Sequence, residues 1–272
     1  MSSGQKPIPG FSNPRCYAHA LKGCSPKMSG EHPVSKAILK RVHHEFTESD
    51  LVEVKNMAFQ LRGASEMFSV GVLESKILCS HHNDRLSPFD DEALLAFNAF
   101  EIMHYAGAGI APAAEAAYNV DGDKFERWML KVVCGGLYGG TMRADDGTEL
   151  KDVEPPLDWL QTLYEGKAFP DGFGLYCDPP KGEDVITVDR SIVKWSPLIL
   201  HTEEQTVVHG LRLWLFGFRF TLLATGPQQR AVEAMAGQSY RPNGCVLDGS
   251  GTHVNFAWAD GPGSAEISVR LV

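Results

Sequence analysis

The sequence predicts an α+β protein, in which strands and helices are mixed in the first half and strands dominate the second. Two segments, 87–107 and 121–140, carry the start and stop signals of helices. After residue 145, short apolar runs with strand-like patterns follow one another. The chain has 272 residues, of which 43% are hydrophobic, and this is enough to form a substantial core.

The first 80 residues are predicted to form a loose arm, one helix and two strands. Residues 1–15 are rich in Gly, Pro and Ser and form the arm. Segments 51–61 and 68–79 have the composition of strands. Segment 32–46 has apolar residues at close to helical spacing, namely Val34, Ala37, Ile38 and Val42.

Two longer helices are predicted next. Segment 87–107 begins with Ser87 and Pro88, has acidic residues in its first turns and ends at a glycine. Segment 121–140 is amphipathic and is closed by a pair of glycines.

The second half is predicted to be β-rich because a series of strand-like runs follows two proline pairs, Pro155-Pro156 and Pro179-Pro180. These runs are 185–200, 205–224, 245–251, 252–259 and 265–272. Two glycine-rich stretches, 247–253 and 261–267, lack the lysine and the strand–loop–helix context of a phosphate-binding loop. Both are therefore predicted to be hairpin turns.

Charge is distributed unevenly along the chain. The net charge is -9, yet the first 85 residues carry a small basic excess and the remainder carries the acidic excess. The first third could approach the phosphate backbone of a nucleic acid, whereas the acidic remainder of the chain would repel that backbone.

No membrane partner is expected, because the most apolar run, 211–226, is short and contains Arg212 and Arg219. The first twenty residues lack the pattern of a secretory signal, so a cytoplasmic location is expected. In that compartment the six cysteines indicate metal ligation or burial rather than disulfides. Cys134, Cys177 and Cys245 are interpreted as core residues.

Three cysteines and one histidine form a candidate zinc set. Seven residues separate Cys16 from Cys24, and Cys79 and His82 have the C-x2-H spacing of a zinc knuckle. Three thiolates and an imidazole suit a tetrahedral zinc ion. His81 could replace His82, although the spacing favours His82.

A second set of polar residues lies close to these ligands. Glu31 and His32 are adjacent, and Asn83 follows His82. Carboxylate and amide oxygens can hold a hard cation such as Mg²⁺. An imidazole can accept a proton from water near neutral pH.

The order of these motifs, Cys16, Cys24, Glu31-His32 and then "LCSHHN", resembles the HNH family of nucleases, also called the His-Me finger or ββα-metal class. The resemblance covers about residues 14–95. It implies that His32 is the general base, that Glu31 and Asn83 hold a catalytic Mg²⁺ or Mn²⁺, and that zinc is structural. The structural zinc ligands would be Cys16, Cys24, Cys79 and His82.

The resemblance thus predicts a zinc-stapled ββα-metal nuclease finger over 14–95, a helical connector over 96–144 and a β-rich domain over 145–272. The expected activity is hydrolysis of phosphodiester bonds in nucleic acid, with DNA favoured over RNA. The β-rich half could select the substrate, form a homo-oligomer or bind a regulatory partner.

An alternative is a zinc-stabilised module that recognises a protein, a ligand or nucleic acid without chemistry. The family has an asparagine shortly before "LC", but residues 73–76 are Leu-Glu-Ser-Lys. Ser75 or Lys76 would then have to support the catalytic histidine. This departure and the acidic second half favour the alternative.

Overall fold

A computed structural model confirms a mixed α+β architecture with several small sheets and a few helices. It describes residues 6–42, 51–55, 65–69, 74–113, 115–143, 149–150, 153–178, 193–201, 206–226 and 235–269. His43 and His44, which the sequence predicts to lie on a solvated face after the first helix, are outside these ranges. Among the described residues, no helix combines the length and the apolar character needed to cross a membrane.

The chain divides into two compact units. The first unit comprises Met1–Asp90, Leu130–Ala168 and His201–Thr206, and the second comprises Asp91–Met129, Phe169–Leu200 and Val207–Val272. Each unit therefore collects separate stretches of the chain. The consecutive segments 14–95, 96–144 and 145–272 stay a prediction from sequence.

The N-terminal elements mix short strands with helices. After a 3₁₀ turn at His19–Leu21, they are β1 (Met28–Glu31), α1 (Lys36–Val42), β2 (Leu51–Lys55), β3 (Ser65–Ser69), β4 (Ser75–Cys79) and α2 (Ser80–Asp84). The central elements are α3 (Ser87–Gly107), β5 (Ala116–Asp121), α4 (Gly122–Tyr138), β6 (Met142–Arg143), β7 (Glu149–Leu150) and α5 (Leu157–Glu165).

The C-terminal elements are all strands within the described ranges. They are β8 (Gly174–Asp178), β9 (Val193–His201), β10 (Thr206–Leu215), β11 (Phe218–Leu223), β12 (Ser239–Tyr240), β13 (Gly244–Leu247), β14 (Thr252–Ala257) and β15 (Glu266–Val269).

Strands β1 and β4 form the sheet that positions the site in the first unit. They are antiparallel, with Met28 opposite Cys79 and Glu31 opposite Ser75. The register shifts between Ser29 and Glu31, as in a β-bulge. Strand β4 then runs directly into α2, so the order at the site is strand, strand, helix.

The described residues of the second unit form two sheets. One has the strand order β12-β8-β11-β10-β9, and the other has the order β15-β13-β14-β5. Strands β13 and β14 are antiparallel, which confirms the hairpin predicted at 247–253. The hairpin predicted at 261–267 is wrong, because β15 pairs with β13 in parallel and the intervening chain must cross over.

Aromatic rings fill the core of the second unit. Phe218 and Phe220 of β11 are fully buried. The ring of Phe100 on α3 lies 5.1 Å from Phe218 and 5.5 Å from Phe220, measured between centroids. These rings therefore belong to a packed core rather than to a base-stacking surface.

Candidate metal centre

Cys16, Cys24, Cys79 and His82 come together in the first unit. Their ligand atoms all lie within 4.8 Å of one another, and each residue is buried. The Nδ1 atom of His82 lies 3.4 Å from Sγ of Cys16, 3.7 Å from Sγ of Cys24 and 3.4 Å from Sγ of Cys79. Bond lengths of about 2.3 Å for zinc–sulfur and about 2.0–2.1 Å for zinc–nitrogen place such atoms about 3.6 Å apart around a tetrahedral ion. The cluster could therefore bind a metal such as zinc.

The chain returns on itself between the first two cysteines. A 3₁₀ turn at His19–Leu21 fills part of the interval, and Lys22 and Gly23 then adopt positive φ angles of 59° and 67°. Two consecutive left-handed residues reverse the chain direction, and the N–H of Cys24 donates to the carbonyl of Phe11 at 3.0 Å. This turn brings both thiols to the same point despite the wide spacing.

Cys79 lies where β4 ends, and it serves as the N-cap of α2. Its Sγ accepts the backbone N–H groups of His82 at 3.5 Å and Ser25 at 3.4 Å. The Ser25 hydroxyl also bonds the hydroxyl of Ser80 at 2.8 Å, which ties the strand entry to the start of the helix. The loop that carries Cys24 and the corner that carries Cys79 are thereby held together.

These contacts determine which thiol holds negative charge when no metal is bound. The hydrogen bond from Cys16, followed by bonds from His82 and the backbone, lowers the pKa of Cys79. The hydrogen bond with Cys79, together with burial, raises the pKa of Cys16. Burial also raises the pKa of Cys24. A thiolate is the form of cysteine that binds metal, and the hydrogen bonds to Cys79 favour that form.

A tyrosine from a distant helix packs against the histidine of the cluster. The ring of Tyr164 on α5 meets the ring of His82 edge-on, with centroids 5.0 Å apart. The Arg85 guanidinium lies 5.4 Å from the Tyr164 ring centroid and donates to the Tyr164 carbonyl. Such packing fixes the orientation of a ligating imidazole.

His32 follows the opposite end of β1 from the cluster. Met28, at the start of β1, pairs with Cys79, and His32 lies four residues further, or about 13 Å along an extended chain. The residue is partly exposed, so its ring does not lie in a packed interior. An imidazole at this position can exchange protons with water.

Asn83 lies beside the middle of β1. Its Nδ2 donates to the Ser29 hydroxyl at 3.2 Å, whereas its Oδ1 is buried without a hydrogen-bond partner among the described residues. An amide oxygen is a type of ligand that hard cations accept. The assignment of Asn83 to a cation site stays a prediction from sequence.

Glu31 does not fit that site in this arrangement. Its buried carboxylate lies 2.7 Å from Nζ of Lys131, and the same Nζ bonds both oxygens of Asp90 at 2.7 and 2.8 Å. The ammonium group of Lys131 occupies the position next to Glu31 that a cation would need, and it would repel a divalent ion. Among the described residues, no second group of three metal-ligating side chains accompanies Glu31.

Electrostatics agree with a buried ion pair at Glu31. Burial raises the pKa of Glu31, and the ammonium of Lys131 opposes that effect. Burial acts to lower the pKa of Lys131, but Glu31 and Asp90 outweigh it and the pKa is raised. Lys131 therefore stays charged, and Glu31 anchors the end of β1 to α4.

The sequence pattern did not identify Lys131, Asp90 or Tyr164 as part of this region. One signal was available, since Lys131 is a lone charge within the apolar run "WMLKVVCGGL". A charged residue on a buried helix face requires a partner of opposite charge. The pattern does not indicate which partner it has.

Comparison with known proteins assigns no family to the chain, because no family model, no curated protein and no solved structure matches it. The interpretation of the site therefore depends on its own geometry.

Proposed function

We propose that the first unit contains an HNH-like finger that hydrolyses phosphodiester bonds in DNA. The observation that carries this proposal is the convergence of Cys16, Cys24, Cys79 and His82 at the corner where β4 enters α2. The strand–strand–helix order and the position of Asn83, one residue after the last ligand, agree with a ββα-metal finger.

Zinc is proposed to act structurally in this finger. All four ligands are protein side chains and all are buried, so no open coordination position is left for a substrate. The ion would join the N-terminal loop to the β4–α2 corner. Residues on either side of that corner would then keep a fixed geometry.

His32 is proposed to act as the general base. A partly exposed imidazole near neutral pH can accept a proton from water as that water attacks phosphorus. The irregular register after Ser29 changes the direction of β1 just before His32. Pro33 follows and restricts the backbone of His32 to extended conformations.

A divalent cation, when bound, would stabilise negative charge on the phosphate and on the departing oxygen. The Asn83 amide oxygen is the donor that fits such an ion. Glu31 is proposed to fix the end of β1 through Lys131 rather than to bind the cation.

A plasmid assay tests the proposal. With Mg²⁺ or Mn²⁺, the zinc-loaded protein is expected to nick supercoiled DNA, and His32→Ala should lower the rate by about 10²–10⁴-fold. His253→Ala is the matched control, because that histidine is half-exposed on β14 and distant in sequence from the finger. An unchanged rate in His32→Ala, or no nicking with any divalent cation, would refute the assignment.

A second candidate function is a zinc-stabilised module that binds nucleic acid without cleaving it. The pairing of Glu31 with Lys131 favours this candidate, because it removes one of the two expected cation ligands. The two candidates differ in two observables. The module would bind one zinc ion and DNA, yet add no second metal near His32 and cut nothing.

The β-rich stretch 145–272 is proposed to select the substrate or to bind a regulatory partner or a second copy of the chain. Deleting it is not a test, because the first unit itself includes residues 130–168. Crosslinking of the whole chain, with and without DNA, tests for self-association.

A further inference from the structure

Five exposed cationic residues lie close in sequence to the residues of the metal cluster. They are Arg15, Lys22, Lys27, Lys76 and Arg85, here called the basic collar. Each lies within three residues of one of the four ligands. Because those ligand atoms lie within 4.8 Å of one another, the five backbone positions are gathered around a single point of the first unit.

Acidic residues are fewer than basic residues close to the ligands, although the whole chain has a net charge of -9. Asp84 is the one acidic residue within three positions of a ligand in the chain, and the Glu154 carboxylate lies 4.0 Å from Nε2 of His19. A zinc ion with three thiolates and a neutral imidazole would carry one negative charge. The collar therefore keeps an excess of about two positive charges after all three are counted, so neutralising the metal centre does not account for it.

The collar cations are not committed to acidic side chains within the described part of the chain. Arg85 donates to the Tyr164 carbonyl and remains exposed. Lys76 lies on β4 next to Ser75, which is opposite Glu31, so the collar extends from the metal corner toward His32. A strand of this length covers about 13 Å, which corresponds to about four base-pair steps along the axis of a DNA duplex.

We propose that the basic collar binds the phosphate backbone of double-stranded DNA. This inference deepens the proposed function by naming the surface that holds the substrate. An anionic membrane is the less suitable partner. No exposed large hydrophobic residue of the described ranges lies within three positions of a ligand, and membrane-surface segments need apolar anchors.

Fluorescence anisotropy with a labelled 20-base-pair duplex, in buffer without added Mg²⁺ or Mn²⁺, tests the proposal. The collar variant combines Arg15→Gln, Lys22→Gly and Lys27→Gln; glycine is chosen at 22 because it adopts φ 59° and ψ -168° without a Cβ clash. The control variant combines Lys36→Gln, Lys167→Gln and Arg212→Gln, three exposed cations farther than three residues from any ligand. Zinc content is measured for every protein, so that loss of the fold is recognised.

Each lost phosphate contact lowers the slope of log Kd against log salt by about 0.9. The collar variant should therefore lose about 2.7 from that slope and bind at least about 10-fold more weakly at 0.1 M salt. The control variant should stay close to the original protein.

The proposal is overturned if both triple variants weaken binding equally, or if the zinc-loaded protein does not bind the duplex at 0.05 M salt. It is also overturned if binding to phosphatidylserine vesicles depends on the collar residues and binding to DNA does not. DNA cleavage is measured in a separate assay. If binding depends on the collar but no DNA is nicked, the nuclease proposal is refuted and the collar proposal is supported. If DNA is nicked but binding does not depend on the collar, the collar proposal is refuted and the nuclease proposal is supported.

Discussion

Lys131 is a fully buried cation held by two carboxylates from different elements. Glu31 lies at the end of β1 and Asp90 lies in the first turn of α3. A buried charge is tolerated only when it is paired, so the three groups depend on one another. The position of Glu31, the residue next to His32, therefore depends on the side chain of Lys131, one hundred positions away in the chain.

Lys131→Met should destabilise the protein by about 3–5 kcal/mol, because it leaves Glu31 buried and unpaired. Glu31→Gln in the same chain should recover part of that loss, since it removes the uncompensated charge. Urea denaturation of the two single variants and the double variant measures the coupling. Strictly additive effects would contradict the pairing, and Lys167→Met on the surface serves as the control.

His104 on α3 is a buried histidine whose two ring nitrogens have no hydrogen-bond partner among the residues that the structure describes. Burial lowers its pKa, so the folded state binds fewer protons than the unfolded state below about pH 6.5. The stabilisation that neutral His104 provides should therefore be fully present above that pH. As the pH falls below it, the free energy of unfolding should decrease by up to about 1.4 kcal/mol per pH unit.

Urea titrations between pH 7.5 and 5.5 measure this dependence. His104→Phe should flatten it, because phenylalanine suits the neighbouring aromatic ring of Phe216 and has no charged form. His253→Gln, an exposed position, should retain the original slope. A slope that His104→Phe leaves unchanged would contradict the prediction.

Secondary structure could be predicted where the signals are local. The helix predicted over 87–107 is Ser87–Gly107, because Ser-Pro, early acidic residues and a terminal glycine mark both ends. The helix predicted over 32–46 begins only at Lys36, since Pro33 disfavours helix at His32 and the Ser35 hydroxyl accepts the N–H of Ile38.

Strand partners could not be predicted in the same way. Stretch 261–267 has the composition of a hairpin turn, yet β15 chooses β13 as a parallel partner. That choice depends on which sheet edge is available, and a window of seven residues contains no such information. The four cluster residues were predictable from their residue types and from the C-x2-H spacing of Cys79 and His82, whereas the Glu31–Lys131 contact depends on tertiary packing.

Two glycines in strands should differ in their tolerance of alanine. At Gly210 in β10 a Cβ atom would lie 1.8 Å from the Leu222 carbonyl oxygen, which is backbone and cannot move alone. At Gly30 it would meet the carboxylate of Glu74, an exposed side chain that can rotate away.

Gly210→Ala should therefore cost about 1–3 kcal/mol, whereas Gly30→Ala should stay within about 0.5 kcal/mol. Urea midpoints at equal protein concentration compare them. Equal midpoints would indicate that β10 and β11 adjust as easily as a surface carboxylate does.

For the whole molecule, the two units should respond differently to loss of metal. The candidate metal centre belongs to the first unit, and a bound structural zinc ion contributes directly to folding free energy. The second unit has an aromatic core of its own. Its described residues contain no cluster of metal-ligating side chains.

A strong chelator should remove hydrogen-exchange protection from β1, β4 and α2 first, while β8, β11 and β14 retain it. Cys79→Ser should reproduce this pattern without chelator. Cys134→Ala should not, because Cys134 is a buried thiol of the same unit outside the cluster. Simultaneous loss of protection in both sets of strands would contradict independent stabilisation.

The double role of Cys79 has a kinetic consequence. The same sulfur atom caps α2 and belongs to the cluster, and a helix of five residues has no stability of its own in water. Dissociation of a bound ion and fraying of the single turn of α2 would then occur together. The off-rate of the metal should follow the local opening rate of this corner, so that an ion exchanging in seconds would report a turn that opens in seconds.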